Sequence, residues 1–281
     1  MRVTSGAQQS PWFVSWFDSA HYYRLYANRN TTEAAAFIDE LIETLRPRPG
    51  ALALDLGCGV GRHSRYLAEK GFCVTGIDLA AGSIKTAKQS ERPGLHFLRQ
   101  DMRVPFGRNW ADYVFNFFTS FGYFDDPNEN LAVVRNMADC LKPGGRLVLD
   151  YLNAAHAERF SHPTETRIID GFTYQLSRWS DSRHLFKRIS IENPDGRECG
   201  NYSERVARFS LDDFSRMFDQ CGLSIDAVYG DYGLAPYEPD SSPRLILLAS
   251  KPLRRTTILS RVETLRNTQR VASRLQLLPT N

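Results

Sequence analysis

The 281-residue sequence predicts an α/β protein: a doubly wound, seven-stranded, mostly parallel sheet with an antiparallel β insertion after the fifth strand. Three observations lead there. Between residues 51 and 150, short apolar runs alternate with helical segments, the pattern of βαβ units. Each run stops at or near a polar residue, namely Asp55, Asp78, Asp101, Asn116 and Asp150. Beyond Asn153 the alternation gives way to β-rich segments punctuated by turn residues.

Residues 1–45 are expected to form a helical lid, rich in aromatics and then in helix formers. Phe37, Leu41, Ile42 and Leu45 lie at helical spacing, with Thr31 or Thr32 as the N-cap and Pro47 and Pro49 as the stop. The main domain is expected over 46–250. It opens with an apolar strand at 51–56, the turn Gly57-Cys58-Gly59-Val60-Gly61 and a helix to Lys70. Strands follow at 72–77, 95–98, 113–117 and 145–149, with helices at 82–89 and 128–141, the latter closed by Lys142-Pro143-Gly144-Gly145. The insertion spans 155–209, with turns at Asp170-Gly171 and Asn193-Pro194-Asp195-Gly196. Ser210 then caps a helix over 211–220, and strands at 223–229 and 244–249 complete the sheet. In such sheets, ligands bind beyond the carboxyl ends of the strands, so the polar residues at those ends mark one candidate edge.

Hydrophobic residues at 42% and charged residues at 24% exclude disordered and low-complexity classes. The formal charge of +3 comes from 35 Lys and Arg against 32 Asp and Glu, but it is unevenly placed. Residues 251–281, an extension expected to be helical, hold seven basic residues and one acid; 1–250 hold 28 and 31. The body is slightly acidic, so a nucleic-acid partner is not expected of it. No apolar run approaches the ~20 residues that span a bilayer, and the first ten residues lack a signal-peptide core. Five cysteines without C-x-x-C spacing suit a reducing compartment, so a cytoplasmic protein without a membrane partner is expected. The six histidines show no metal-ligand spacing, and no metal is expected.

The glycine-rich turn lets a ligand approach the main chain without a Cβ in the way. It is not a Walker loop, because Arg62 and His63 stand where Lys and Ser or Thr are needed. It is not a dinucleotide fingerprint either, since Arg62 replaces the third small residue. What remains, an acid before G-x-G-x-G, suits a ligand without phosphate but with positive charge. Asp78, 23 residues after Asp55, is placed to accept both hydroxyls of a ribose.

With Leu54 to Gly61, the segments Thr75-Gly76-Ile77-Asp78-Leu79, Arg99-Gln100-Asp101-Met102 and Leu141-Lys142-Pro143-Gly144-Gly145 resemble, in order, the motifs of the class I S-adenosylmethionine-dependent methyltransferases, a Rossmann-like family. The resemblance covers residues 50–150. It implies S-adenosylmethionine as cofactor. Asp55, Gly57, Cys58 and Gly59 would line its methionine end, Asp78 the ribose, Leu79, Asp101 and Met102 the adenine, and Asn116 and Phe117 the region of the sulfonium. Tyr22 to Tyr26 and Arg29 resemble the aromatic lid of small-molecule members. Tyr23 and Tyr26 are thus cofactor candidates, and Arg29 could pair with the methionine carboxylate.

No general base is assigned; Tyr123, Tyr151 and His156 are the candidates. Tyr123, Asn153, Arg178, Trp179 and Tyr237 are the acceptor-binding candidates, because the family often builds its acceptor cover after the fifth strand. The leading expectation is methyl transfer to an O or N nucleophile of a small molecule. The alternatives are an RNA or protein methyltransferase gripping through the basic tail, and a non-catalytic cofactor-binding protein.

Overall fold

The computed structural model describes residues 11–26 and 31–253. The chain enters through α1 (Trp12–Phe17), α2 (Ala20–Leu25) and α3 (Thr31–Leu45). It then runs β1 (Leu52–Leu56), α4 (Arg62–Glu69), β2 (Cys73–Asp78), α5 (Ala81–Ala87), β3 (Leu95–Arg99), β4 (Ala111–Asn116), α6 (Pro127–Cys140) and β5 (Leu141–Leu152). After α7 (Ala154–Phe160) come β6 (Thr164–Ile169), β7 (Phe172–Ser180), β8 (His184–Glu192) and β9 (Glu198–Ala207). The last elements are α8 (Leu211–Gln220), β10 (Ser224–Tyr229) and β11 (Arg244–Ser250).

Seven strands form one sheet in the order β10-β11-β5-β4-β1-β2-β3. β11 runs antiparallel to both neighbours, and the pairs among β1 to β5 are parallel. Strand alternation gives the sheet two apolar faces. Leu54, Val114, Leu147, Leu149 and Tyr151 pack with α6 and α8 on one side. Ala53, Val74, Phe115 and Val148 pack with α3 and α4 on the other. The 100–110 segment between β3 and β4 contains no helix, and β5 begins four residues earlier than the strand expected from sequence, at Leu141. The register shift between Ala111 and Tyr113 absorbs the Pro143-Gly144-Gly145 kink, so this stop signal lies inside a strand edge.

The insertion forms a second, four-stranded antiparallel sheet, β6-β7-β8-β9. Asp170 and Gly171, with φ of 51° and 78°, make the first hairpin turn. Tyr174, Leu176, Ile189 and Ile191 of this sheet bury against Trp16 and Leu25, so α1 and α2 pack on the cover sheet. The third N-terminal helix does something else: Phe37, Ile38, Leu41 and Leu45 join the core of the main sheet. The Ser210 hydroxyl caps α8 and the Asp213 side chain reciprocates, a full capping box.

Lys251 continues the edge of β11, donating from Nζ to the carbonyls of Ala138 and Leu141 at 2.8 Å. The remainder of the basic extension, from 254 on, lies outside the described residues. Among the described residues no helix is long and apolar enough to cross a membrane.

Candidate active site

The carboxyl ends of β1, β2 and β4 open onto a cavity of about 450 Å³, bounded on its far side by α1, α2 and β9. A volume in the ~300–1,000 Å³ range is typical of small-molecule and cofactor sites. Its floor is the turn after β1. Gly57, Gly59 and Gly61 all have positive φ, of 77°, 55° and 78°. A Cβ on Gly57 would lie 2.6 Å from Ser120 Cβ, and one on Gly61 would lie 2.6 Å from Phe97 Cζ. At Gly59 nothing stands within 4 Å of such a Cβ, so the backbone there faces open space.

Asp78 sits at the rim of this turn. Its Oδ2 accepts from Gly59 N and its Oδ1 from Ala80 N, both at 2.8 Å. Burial raises its pKa, and those backbone donors pull it partly back. Leu79, Met102 and Asp101 border the same end of the cavity. Asp101 is clamped by Arg103, whose Nη2 stands 2.6 Å from Oδ2. Burial would push the Asp101 carboxyl up, but the hydrogen bonds and charge of Arg103 outweigh it and the pKa is lowered. Asp101 thus stays an ionised acceptor, held by its neighbour. Tyr23 reaches over from α2 and its hydroxyl bonds Ser83 Oγ.

Asp55 departs from its expected position. Strand alternation turns it away from the cavity, toward the first turn of α4; it is 1% exposed and accepts from Ser64 Oγ at 2.5 Å. Burial pushes its carboxyl up to about 7, with Asp78's charge adding and the Ser64 bond opposing. It supports the glycine turn from behind. Asn116 also stands behind the wall, donating from Nδ2 to Leu56 O at 2.8 Å and to Ser120 O at 3.1 Å. Its Oδ1 is buried without a hydrogen-bond partner, behind the cavity wall. Cys58 lines the cavity, but burial pushes its thiol well up, so it is not a thiolate nucleophile.

The loop after β4 carries backbone strain. Phe118 and Thr119 have φ of 55° and 60°, a left-handed conformation that costs ~1–3 kcal/mol per residue outside glycine. Asp150 holds it there: Oδ2 accepts from Phe118 N at 2.8 Å, and Asp150 O accepts from Thr119 N at 3.0 Å. Arg244 secures Asp150 in turn, with Nε donating to Oδ1 at 2.8 Å and Nη2 to Thr119 Oγ1 at 3.1 Å. The strand-end acid of β5 is therefore a loop anchor. Phe117 and Phe118, positioned this way, stack near His63 at ring distances of 4.9 and 5.1 Å.

The opposite wall is aromatic. Tyr123 lines it, donating its hydroxyl to Thr119 O at 2.5 Å, and its ring meets those of Trp12 and Phe17 at 5.3 Å each. Tyr22 packs edge-on to Phe17 at 5.1 Å, and Tyr26 lies 5.0 Å beyond. Glu204 and Val206, two apart on β9, complete the wall. Trp12, Phe17, Arg62, His63, Glu204 and Arg244 were not among the sequence candidates. The first two sit in a six-residue helix too short to show a period, Glu204 lies in a strand with many polar residues, and Arg244 is the first residue of an otherwise apolar strand.

Several expected residues are elsewhere. Tyr151 is fully buried in the main core; its hydroxyl donates to Ala207 O at 2.5 Å and burial raises its pKa well above the ordinary value, so it is no base at this cavity. His156 stacks on Phe160 at 4.6 Å on α7, away from the cavity lining. Asn153 caps α7 and donates to the carbonyls of Pro239 and Ser242, each at 2.8 Å. Arg178 pairs with Glu165 at 2.7 Å, and Trp179 stacks on Phe186 at 5.2 Å on the cover sheet. Neither they nor Tyr237 border the cavity. Arg29 lies outside the described residues. Among the described residues no cluster of side chains could hold a metal.

Comparison with known proteins fits this geometry. The family described as "Methyltransferase domain" matches residues 53–145. YqeM of Bacillus subtilis (strain 168), which carries the name of a methyltransferase, is 32% identical over 220 residues, covering 75% of this chain and 87% of the relative. The chain belongs to the class I S-adenosylmethionine-dependent methyltransferases. A cypemycin N-terminal methyltransferase from Streptomyces sp is 26% identical over 216 residues, 74% of this chain and 86% of that one. Among solved structures, an S-adenosylmethionine-dependent methyltransferase from Clostridium acetobutylicum ATCC 824 superposes with a TM-score of 0.70 at 19% identity, covering 83% of this chain and 97% of that chain. The methyltransferase thus uses S-adenosylmethionine, and the open backbone at Gly59 with the carboxylate of Asp78 beside it fits that cofactor.

Proposed function

We propose that this methyltransferase acts on an O or N nucleophile of a small molecule. The observation that carries the reading is the shape of the acceptor side: the cavity is walled by Trp12, Phe17, Tyr22 and Tyr123 and backed by β9, a compartment and not an open basic groove. Residues 11–26 act as lid, the sheet β6 to β9 as acceptor cover, and the main sheet with α3 as the cofactor-binding body. When bound, S-adenosylmethionine supplies a methyl group already activated by its sulfonium.

The chain's own work is alignment and exclusion of water, which in favourable cases is worth ~7–11 kcal/mol. Asp78 receives the ribose hydroxyls, exchanging its bond to Gly59 N for them. Leu79 and Met102 border the adenine, with Asp101 held ionised by Arg103 as its acceptor. Gly57 and Gly59 present bare backbone to the methionine portion, and Arg62 and His63, at the first turn of α4, receive its carboxylate. Phe117 and Tyr23 close the site near the sulfonium. Incubation with methyl-labelled S-adenosylmethionine and a whole-cell extract tests the acceptor class. Label should enter dialysable products; label retained on protein or RNA would contradict the proposal.

A further inference from the structure

We infer that Glu204 is the acceptor-binding carboxylate of this methyltransferase and that the acceptor group it binds is an amine. The inference rests on the small-molecule reading above and narrows it. Among the described residues lining the cavity, three are carboxylates: Asp78, Asp101 and Glu204. The first two stand at the strand ends of the main sheet, one bonded to the glycine turn and the other clamped by Arg103. Glu204 stands across the cavity on β9, among the aromatic rings. It is the carboxylate that faces the acceptor.

Its environment fixes it in direction. Oε1 accepts from Trp16 Nε1 and from the Tyr26 hydroxyl, each at 2.7 Å. Lys187, directly opposite on β8, approaches Oε2 at 3.4 Å and also donates to the Tyr26 hydroxyl. Three donors from three elements hold one side chain. A carboxylate offers about four acceptor sites, and the lysine contact is longer than the ~2.7–2.9 Å of a close charge-assisted bond. Oε2 retains capacity for one N–H donor from a ligand. The rings of Tyr22, Phe17 and Trp12 add electron-rich faces nearby, the surroundings in which an organic cation is stabilised.

Methyl transfer to an amine has a matching charge requirement. The nitrogen lone pair forms the new N–C bond while the S–C bond breaks and its electron pair remains on sulfur. The positive charge moves from sulfur to nitrogen, and one N–H proton then leaves to Glu204 or water. A neutral amine donating one N–H to Oε2 would aim its lone pair away from the carboxylate, into the cavity. Glu204 and the rings then stabilise the positive charge as it grows on nitrogen, an interaction stronger in the transition state than before it. An alcohol develops the same charge only until its proton is lost, and it gains less from a fixed anion.

The test uses the full chain and matched acceptor pairs: benzylamine with benzyl alcohol, and cyclohexylamine with cyclohexanol. S-adenosylhomocysteine formation is followed, together with calorimetric binding of each compound to the S-adenosylhomocysteine-loaded protein. Each amine should be preferred over its alcohol. Glu204→Gln, which keeps the shape and the contact with Trp16, should reduce that preference and amine binding at least tenfold, chiefly through KM, with affinity for S-adenosylhomocysteine unchanged. Lys187→Met, which leaves the carboxylate in place without its competing cation, should maintain or strengthen amine binding. Equal or better use of the alcohols, failure of both amines, or an unchanged preference in Glu204→Gln would overturn the inference. Transfer to proteins or RNA in the labelling experiment would instead overturn the reading on which it rests.

Discussion

Asp55 offers a test of how the glycine turn is supported. Its carboxyl is 1% exposed and held at about 7, against 3.8 in an unfolded chain. Between those pH values the folded protein keeps a proton that the unfolded chain has released, so stability falls as pH rises and levels off above about pH 7. At about 1.4 kcal/mol per pKa unit, the ceiling on this loss is about 4 kcal/mol. Relaxation around the buried charge should bring it to about 2–4 kcal/mol. Asp55→Asn keeps the side-chain shape and a partner for Ser64 Oγ but has no proton to lose. Urea unfolding of the cofactor-free protein, across about pH 4.5 to 8, measures the difference. Asp101, Asp112 and Glu165, whose pKa values are lowered, remain in both proteins and cancel in the subtraction, whereas Asp78, whose charge acts on Asp55, is coupled to it and belongs to the measured difference. Relative to wild type, Asp55→Asn should gain about 2–4 kcal/mol over that interval. Parallel pH profiles for the two proteins would refute the assignment of Asp55 as a buried, largely protonated support.

Gly57→Ala places a Cβ 2.6 Å from Ser120 Cβ at a φ of 77°, so stability should drop by about 1–3 kcal/mol in urea unfolding and cofactor affinity should fall with it. Tyr151→Phe removes a hydroxyl buried against Ala207 O. It should cost about 1–3 kcal/mol of stability, through the orphaned carbonyl, while leaving kcat within a few-fold of wild type. A drop in kcat of orders of magnitude with intact stability would return Tyr151 to the chemistry. Arg244→Met leaves Asp150 buried without its cation and releases the strained Phe118–Thr119 turn. It should destabilise by about 3–5 kcal/mol, read by the same unfolding assay.

The main sheet was legible because inner strands such as β1 and β11 are short apolar runs buried on both faces, and such runs are visible without knowing their partners, whereas the edge strands β3 and β10 are partly exposed. The proposed cofactor end was legible for a related reason: Gly57, Gly59, Asp78, Leu79, Asp101 and Met102 stand at or just past strand ends, so spacing alone brings them to the lining of one cavity. Parity within a strand was harder. Asp55 and Tyr151 each stand at the end of a strand near the site, yet they face away from the cavity into opposite layers of the molecule. The proposed acceptor wall depended on pairing across long sequence distances. Glu204 joins Trp16, 188 residues away, and nothing local in an alternating polar strand announces which face another sheet will cover. The opposite charges of Lys187 and Glu204, on two neighbouring predicted strands, were the available signal. Arg178 and Trp179 come from the same insertion as Glu204, but they stand toward the end of β7, where Glu165 and Phe186 engage them.

The central claim is that the turn after β1 and the Asp78 carboxylate form one cofactor site in an S-adenosylmethionine-dependent methyltransferase. Calorimetric titration of S-adenosylhomocysteine into wild type and Asp78→Ala tests it directly. Wild type should bind one molecule per chain. The variant, lacking the charged acceptor for the ribose hydroxyls, should lose about 3 kcal/mol, at least a hundredfold in affinity. No binding by wild type, or equal affinity in the two proteins, would contradict the account.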